Sequence, residues 1–157
     1  MTHSTLNNPF DDQADFMEAS GQQILGQSQD QFALYHNLVF EEGAELSQAL
    51  HDLLRHTRTE PTEPDQQYVT DLIHRTAAVA DGIVDSIVVL IGLGYSMGLD
   101  MEAAWQEVHR SNMAKIDPET GKVIRREDGK ILKPEGWTPP DLVKVVMQSW
   151  EKLNAAA

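Results

Sequence analysis

The stretch "FALYHNLVFEEGAELSQALHDL", residues 32–53, decides the fold. Its apolar side chains recur every three or four residues, which is the period of an α-helix with one protected face. We call this face the apolar seam, and its positions are Phe32, Tyr35, Val39, Glu42, Leu46, Ala49 and Leu53. The seam predicts a helix over about residues 30–56, with the Glu42 carboxylate on the face expected to pack.

Further helices follow from the rest of the sequence. Gly98 comes after a second long apolar pattern and is a typical helix stop, while Asp100 and Thr138 are typical caps for the helices that follow them. Residues 117–136 contain Thr-Gly and Asp-Gly turns, which indicate a small hairpin or an ordered loop. The predicted helices cover about residues 11–25, 30–56, 66–97 and 101–115, and a last one runs from 138 onward.

This pattern predicts an all-α fold, a helical bundle built on two long antiparallel helices with shorter helices beside them. At 157 residues, the chain suits one domain with one core. We therefore predict a disordered N-terminus at residues 1–10 and a single all-α domain at residues 11–157.

Composition excludes several classes of protein. The formal net charge of −13 does not suit a nucleic acid polymer, whose binding needs a basic surface. The chain has no cysteine, which excludes disulfides and thiolate sites, and its N-terminus lacks the pattern of a signal peptide. The most apolar run, residues 83–99, carries Asp85 and is shorter than the roughly 20 residues that span a bilayer. A cytoplasmic protein that binds no membrane is expected.

Carboxylates interrupt the apolar faces of both long helices. Glu41, Glu42 and Glu45 fall within an arc of about 100°, since each helical residue turns by about 100°. Asp81 and Asp85 are four residues apart and therefore share one face of the second helix. If the two faces meet, a divalent cation is needed to relieve their repulsion, and oxygen ligands suit Mg²⁺, with Mn²⁺ as a substitute. The alternative for any single acid is a solvated helix face.

A basic segment balances these acids. Seven of the twelve basic residues lie between positions 110 and 133, so this segment is predicted to receive phosphate oxygens. The alternative is a solvated loop that offsets acids elsewhere, and Asn112 has a second alternative as a helix cap. The predicted substrate- and phosphate-binding residues are Arg110, Asn112, Lys115, Lys130 and Lys133.

The acidic motif and the tail together resemble a known superfamily. Glu-Glu-x-x-Glu at residues 41–45, with paired acids about forty residues later, is similar to the all-α nucleoside triphosphate pyrophosphohydrolases. These include MazG, the dimeric dUTPases and the phosphoribosyl-ATP pyrophosphohydrolases. The tail "EVHRSNMAKIDPETGKVIRREDGKILKPEGWTPPDL", residues 107–142, resembles small phage and bacterial members of the phosphoribosyl-ATP pyrophosphohydrolase-like type. The resemblance extends over about residues 30–142.

One position departs from the pattern of this superfamily. Its second motif is Glu-x-x-Asp, in which Asp85 matches the aspartate and position 82 would carry the glutamate. The chain has Gly82 there, with Asp81 beside it, so the number of bound metal ions stays open.

The resemblance implies Mg²⁺-dependent attack of water on a nucleotide phosphate, with release of a monophosphate and pyrophosphate. Glu41 or Glu42, together with Glu45, matches the first acidic motif, and Asp85 matches the aspartate of the second. With Asp81 added from its place on the same helix face, we predict Glu42, Glu45, Asp81 and Asp85 as metal ligands. Glu41 and Glu42 are the predicted catalytic residues, of which Glu41 is the candidate to orient or deprotonate the water. The lysines would stabilise the leaving pyrophosphate. The predicted substrate is a nucleoside or deoxynucleoside triphosphate. The alternatives are phosphoribosyl-ATP in histidine biosynthesis and a catalytically silent helical module that binds a nucleotide or a protein.

Both long helices carry apolar residues on more than one face. A monomer of this length leaves such surface exposed, so a homodimer or a dimer-of-dimers tetramer is predicted.

Overall fold

The structure is a computed structural model, and it describes residues 8–24, 26–59 and 61–156. Within these ranges it contains five helices and three isolated antiparallel bridges, which confirms the predicted all-α class. The helices are α1 (Pro9–Ala19), α2 (Gln29–Arg58), α3 (Gln66–Ser96), α4 (Met101–Met113) and α5 (Leu142–Ala156). α1 begins within the segment 1–10 that is predicted to be disordered. Residues 1–7 and Leu25, at the end of the first predicted helix, lie outside the described residues.

Side-chain caps set the starts of the first four helices. In each case a side-chain oxygen accepts a hydrogen bond from an N–H group of the first turn, which has no partner within the helix. The caps are Asn8 for α1, Ser28 for α2, Asp65 for α3 and Asp100 for α4. α3 ends at Ser96, and Gly98 follows with a φ of 72°, which confirms its role as the stop.

The start predicted for the last helix is wrong. Thr138 does not cap α5, which begins at Leu142. Pro140 disfavours a helical conformation at the residue before it, so the helix cannot start at Pro139. Asp141 caps the helix instead, because its Oδ1 accepts a hydrogen bond of 3.0 Å from the N–H of Lys144.

α2 and α3 form the main packing contact and run antiparallel. Three contacts along their length show the direction, because the partner on α3 moves backward as the residue on α2 moves forward. These pairs are Tyr35 with Gly92, Leu46 with Gly82, and His56 with Tyr68. Every position of the apolar seam except Phe32 is partly or fully buried, so the predicted seam is the face that packs.

Tyr35 is the best-buried residue of the seam, with 3% of its surface exposed. Its ring lies against the bare backbone of Gly92, where an added Cβ would come within 2.1 Å of the Tyr35 Cε1 atom. Its hydroxyl group accepts a hydrogen bond from Gln13 at 3.2 Å and donates one to Gln22 at 2.8 Å. Gly92, near the end of α3, thus permits the close packing of α3 against α2.

The chain divides into two compact units, with the boundary between Met97 and Gly98. Unit 1 contains α1, α2 and α3, and unit 2 contains α4, α5 and the loop between them. The predicted metal ligands all belong to unit 1, and the predicted phosphate-binding residues all belong to unit 2. The single domain predicted for residues 11–157 stays a prediction.

α3 exposes much of its apolar surface. Its exposed side chains include Ile73, Ile83, Val84, Ile87 and Leu90. By length and composition, this helix would also be able to cross a membrane, a property that it shares with core helices of soluble proteins. In this structure it packs along α2.

Candidate metal and phosphate sites

The predicted acids of α2 and α3 together raise the pKa of one carboxyl group, that of Glu42. Glu42 is partly buried, as its place on the seam predicts, whereas Glu41 and Glu45 are exposed. Burial raises the pKa of the Glu42 carboxyl above its ordinary value of 4.5, and neighbouring carboxylates raise it further. In decreasing order of effect these are Glu45, Asp85, Glu41 and Asp81. Antiparallel pairing therefore brings the two acidic faces into one electrostatic field.

The carboxylates share this field without meeting at one point. Within the described ranges, no three histidine, aspartate or glutamate side chains form a ready-made metal site. Asp81 is exposed and Asp85 is partly buried, so water reaches them. Carboxylate oxygens and water are the ligands that Mg²⁺ uses, and a divalent cation would relieve the repulsion at Glu42. The donor chemistry fits a hydrated divalent cation.

Gly82 is buried where α2 and α3 approach each other. A Cβ atom added here would lie 3.1 Å from the Cα atom and 3.2 Å from the Cβ atom of Leu46. Position 82 therefore faces the backbone of α2, and a glutamate there would push the helices apart. The departure from the superfamily pattern thus has a structural reason, because the glycine permits the helix contact and exposed Asp81 supplies an acid beside it.

A second charged group, which the sequence pattern does not reveal, lies on the same two helices. A hydrogen bond of 3.1 Å from Gln48, followed by the charges of Arg55 and Arg75, lowers the pKa of Asp52. Arg75 belongs to α3, and its buried Nε atom has no hydrogen-bond partner among the described residues. The sequence signal is weak because Asp52 and Arg75 come together only through helix pairing.

The segment between α4 and α5 is an ordered loop with two tight turns. Gly121 and Gly129 stand in these turns with φ values of 66° and 83°, a conformation that favours glycine. Antiparallel bridges join Ile116 to Val123 and Arg125 to Ile131. The hairpin or ordered loop predicted for residues 117–136 is therefore present, formed by isolated bridges.

Arginines in unit 2 already have partners in the protein. Arg110 makes two hydrogen bonds with the Glu107 carboxylate, at 2.7 and 2.8 Å. Arg126 forms an ion pair with Asp128. Arg125 donates a hydrogen bond of 2.9 Å to the carbonyl group of Gly129.

Lysines in the same loop differ from the arginines in their partners. In the described part of the chain, the lysines between positions 115 and 133 form no ion pair with a carboxylate. Lys115 donates a hydrogen bond of 2.8 Å to Oδ1 of Asn112, and Lys130 and Lys133 are exposed. Of the predicted phosphate-binding residues, these lysines have the charge most available for a ligand.

Two of these lysines lie at one aromatic ring. The ammonium group of Lys133 lies 4.0 Å from the centroid of the Trp137 ring, and that of Lys115 lies 5.6 Å from it. Both distances fall within the range of cation–π attraction. Trp137 therefore brings together two lysines that are 18 positions apart in sequence.

Glu107 joins α4 to the start of α5. The Arg110 hydrogen bonds, followed by one from the N–H of Asp141, lower the pKa of the Glu107 carboxyl from 4.5 to about 2. A depressed carboxyl pKa stabilises the fold above the ordinary pKa, and this contribution is lost as the pH falls through the folded value. Glu107→Gln is therefore expected to lower stability at neutral pH, with the difference from wild type shrinking from pH 4.5 toward 2. Denaturant titrations at a series of pH values measure this, and a difference independent of pH would contradict it.

Comparisons with known proteins agree with the acidic motif. The profile of the family PRA-PH, phosphoribosyl-ATP pyrophosphohydrolase, matches residues 11–112, more than half of the chain. The matched range includes both acidic faces and ends at Asn112, before the lysines of the loop. No curated protein matches the sequence. The chain therefore belongs to the phosphoribosyl-ATP pyrophosphohydrolase family and is a nucleotide pyrophosphohydrolase.

Proposed function

We propose that the protein hydrolyses a nucleoside or deoxynucleoside triphosphate in a Mg²⁺-dependent reaction and releases the monophosphate and pyrophosphate. The observation that carries this proposal is the set of four carboxylates that raise the pKa of Glu42 from two different helices. Such a concentration of like charge destabilises the fold and is typical of a site that binds cations.

In this proposal, Glu42, Glu45, Asp81 and Asp85 hold the metal. When bound, Mg²⁺ supplies charge neutralisation at the phosphates and makes a water molecule more acidic. Glu41 is exposed next to this group and accepts the proton of the attacking water or orients it. Glu42 is half-buried between Val39 and Leu46, so its side chain has less freedom and fixes the position of the site on α2.

Phosphoribosyl-ATP is a second candidate substrate. The family to which the chain belongs is named after this compound, and the match covers both acidic faces. Phosphoribosyl-ATP contains the triphosphate of ATP, so the same carboxylates would serve either substrate. The two candidates differ in the group attached to the base.

A substrate panel tests both candidates. Purified protein is incubated with each nucleoside triphosphate, each deoxynucleoside triphosphate and phosphoribosyl-ATP, and pyrophosphate is measured with Mg²⁺ and with EDTA. We expect pyrophosphate from at least one triphosphate and none with EDTA. Release from phosphoribosyl-ATP alone would replace the first candidate by the second. Binding without any release would contradict hydrolysis.

We also propose that the protein assembles from copies of itself. Large apolar side chains are exposed on all five helices, including Phe40 at 69% on α2, Val84 at 57% on α3, Trp105 at 65% on α4 and Val143 at 72% on α5. A surface of this kind is stabilised when a second copy covers it. Analytical ultracentrifugation is expected to show a dimer or tetramer, and a monomer at all concentrations would contradict the proposal.

A further inference from the structure

Lys115, Lys133 and Trp137 form a cluster in unit 2 that we call the lysine–tryptophan cluster. Its two ammonium groups lie at one ring, although like charges repel at short distance. In the described residues neither lysine has a carboxylate partner, in a protein with 25 acidic residues. The cluster therefore holds two positive charges together and leaves them without an anion from the protein.

The ring at the centre of the cluster is held in place. The indole N–H of Trp137 donates a hydrogen bond of 2.8 Å to the carbonyl group of Ser111. The Ser111 hydroxyl group donates one of 3.0 Å to the carbonyl group of Thr138, and Ser111 is only 2% exposed. These bonds join Ser111, near the end of α4, to two consecutive residues of the loop, Trp137 and Thr138. The position of the ring, against which both ammonium groups lie, is thus fixed.

We propose that the lysine–tryptophan cluster binds a polyphosphate chain, with Trp137 as the residue that positions both lysines. The anion site follows from the geometry of unit 2, and the choice of a polyphosphate as its ligand rests on the proposed function. Two ammonium groups on one ring match an anion with charges on adjacent phosphoryl groups better than a single phosphate. The side chain of Asn112 accepts a hydrogen bond from the ammonium group of Lys115. Its amide would therefore lie beside the same ligand.

Binding is measured without metal, so that the acids of unit 1 do not take part. In a Trp105→Phe, Trp150→Phe background, Trp137 is the only tryptophan, and tripolyphosphate is titrated in EDTA while its fluorescence is followed. We expect a saturable change in fluorescence, and Lys115→Met or Lys133→Met is expected to weaken binding about tenfold each. Lys122→Met is the matched control and is expected to leave binding unchanged, because Lys122 is an exposed lysine of the same loop, whereas the cation–π contacts found at the Trp137 ring are those of Lys115 and Lys133.

A double-mutant cycle separates positioning from a general structural role. Calorimetry with Trp137→Leu is expected to show about tenfold weaker binding, whereas Trp137→Phe, which keeps an aromatic ring, stays within about threefold of wild type. Adding Lys133→Met to Trp137→Leu is expected to cost less than it does in the wild type, because the ring no longer positions the lysine. Additive effects would overturn the positioning role. Circular dichroism of each variant shows whether unit 2 is folded, and Trp137→Phe still tests the proposal if Trp137→Leu does not fold.

The ligand class has its own test. Tripolyphosphate and pyrophosphate are expected to bind more tightly than a nucleoside monophosphate, and equal binding of all three would overturn the polyphosphate assignment. Failure of the proposed function can be distinguished from failure of the cluster proposal. A protein that binds tripolyphosphate in EDTA but releases no pyrophosphate with Mg²⁺ contradicts only the proposed hydrolysis. A protein that hydrolyses nucleotides but binds tripolyphosphate equally with and without both lysines contradicts only the cluster.

Discussion

Glu42→Gln is expected to lower Mg²⁺-dependent pyrophosphate release by at least about a hundredfold, the upper range for groups that only support a metal ligand. The substitution removes the negative charge of a proposed metal ligand and keeps the size of the side chain. Because Glu42 is the acid on which the other four carboxylates act, its loss also weakens the field that attracts the cation. Initial rates at saturating substrate over a Mg²⁺ series separate weaker metal binding from slower chemistry.

The same variant is expected to be more stable than wild type without metal. Burial and like charges disfavour the Glu42 carboxylate, and a neutral amide avoids both. Melting curves in EDTA measure this gain, and adding Mg²⁺ should stabilise the wild type more than the variant. Glu18→Gln, an exposed acid on α1, is the control and should change neither property. A variant with lower activity and lower metal-free stability would indicate that Glu42 supports the fold instead.

Gly82→Glu, which restores the acid of the superfamily pattern, is expected to destabilise unit 1 by about 4 kcal/mol and to reduce activity. The new side chain would start 3.1 Å from the Leu46 backbone, and its carboxylate would be placed between two packed helices. Denaturant titrations followed by circular dichroism measure the loss. Activity above wild type would show that α3 can rotate to expose position 82.

Gly43→Glu is the matched control for this substitution. Gly43 lies on α2 beside Glu42, and an added Cβ atom there meets no atom within 4 Å. The variant adds the same charge near the same acids, and its stability should change by about 1 kcal/mol or less. Equal losses in the two variants would assign the effect to charge, whereas the larger loss at position 82 is expected from packing.

Helix positions were predictable because they depend on local chemistry. The seam of α2, the glycine stop after α3 and the Asp100 cap each act within a few residues. The start of the last helix was predicted wrongly, because Pro140 disfavours a helical conformation at Pro139 and Asp141 provides a cap closer to Leu142. Competition between neighbouring caps is decided by small differences in free energy.

Residues of the acidic faces were also predictable, because carboxylates inside an apolar period are visible in the sequence. Their combined effect on the pKa of Glu42 depends on the pairing of α2 with α3. The same pairing explains why a glycine stands at position 82, where the two helices approach closely. The basic segment was recognisable from its composition. The sequence did not reveal which of these charges have partners in the protein. Glu107 and Asp128 form ion pairs with arginines, whereas Lys115 and Lys133 lie at the Trp137 ring.

The boundary between Met97 and Gly98 has a consequence for how unfolding is observed. All three tyrosines of the chain belong to unit 1, and all three tryptophans belong to unit 2. Two units with separate contacts can unfold in separate steps, and a single midpoint then describes neither of them. Tryptophan emission reports only on the half that contains the lysines, so a change in the half that carries the acidic faces would pass unseen by the commonest optical probe.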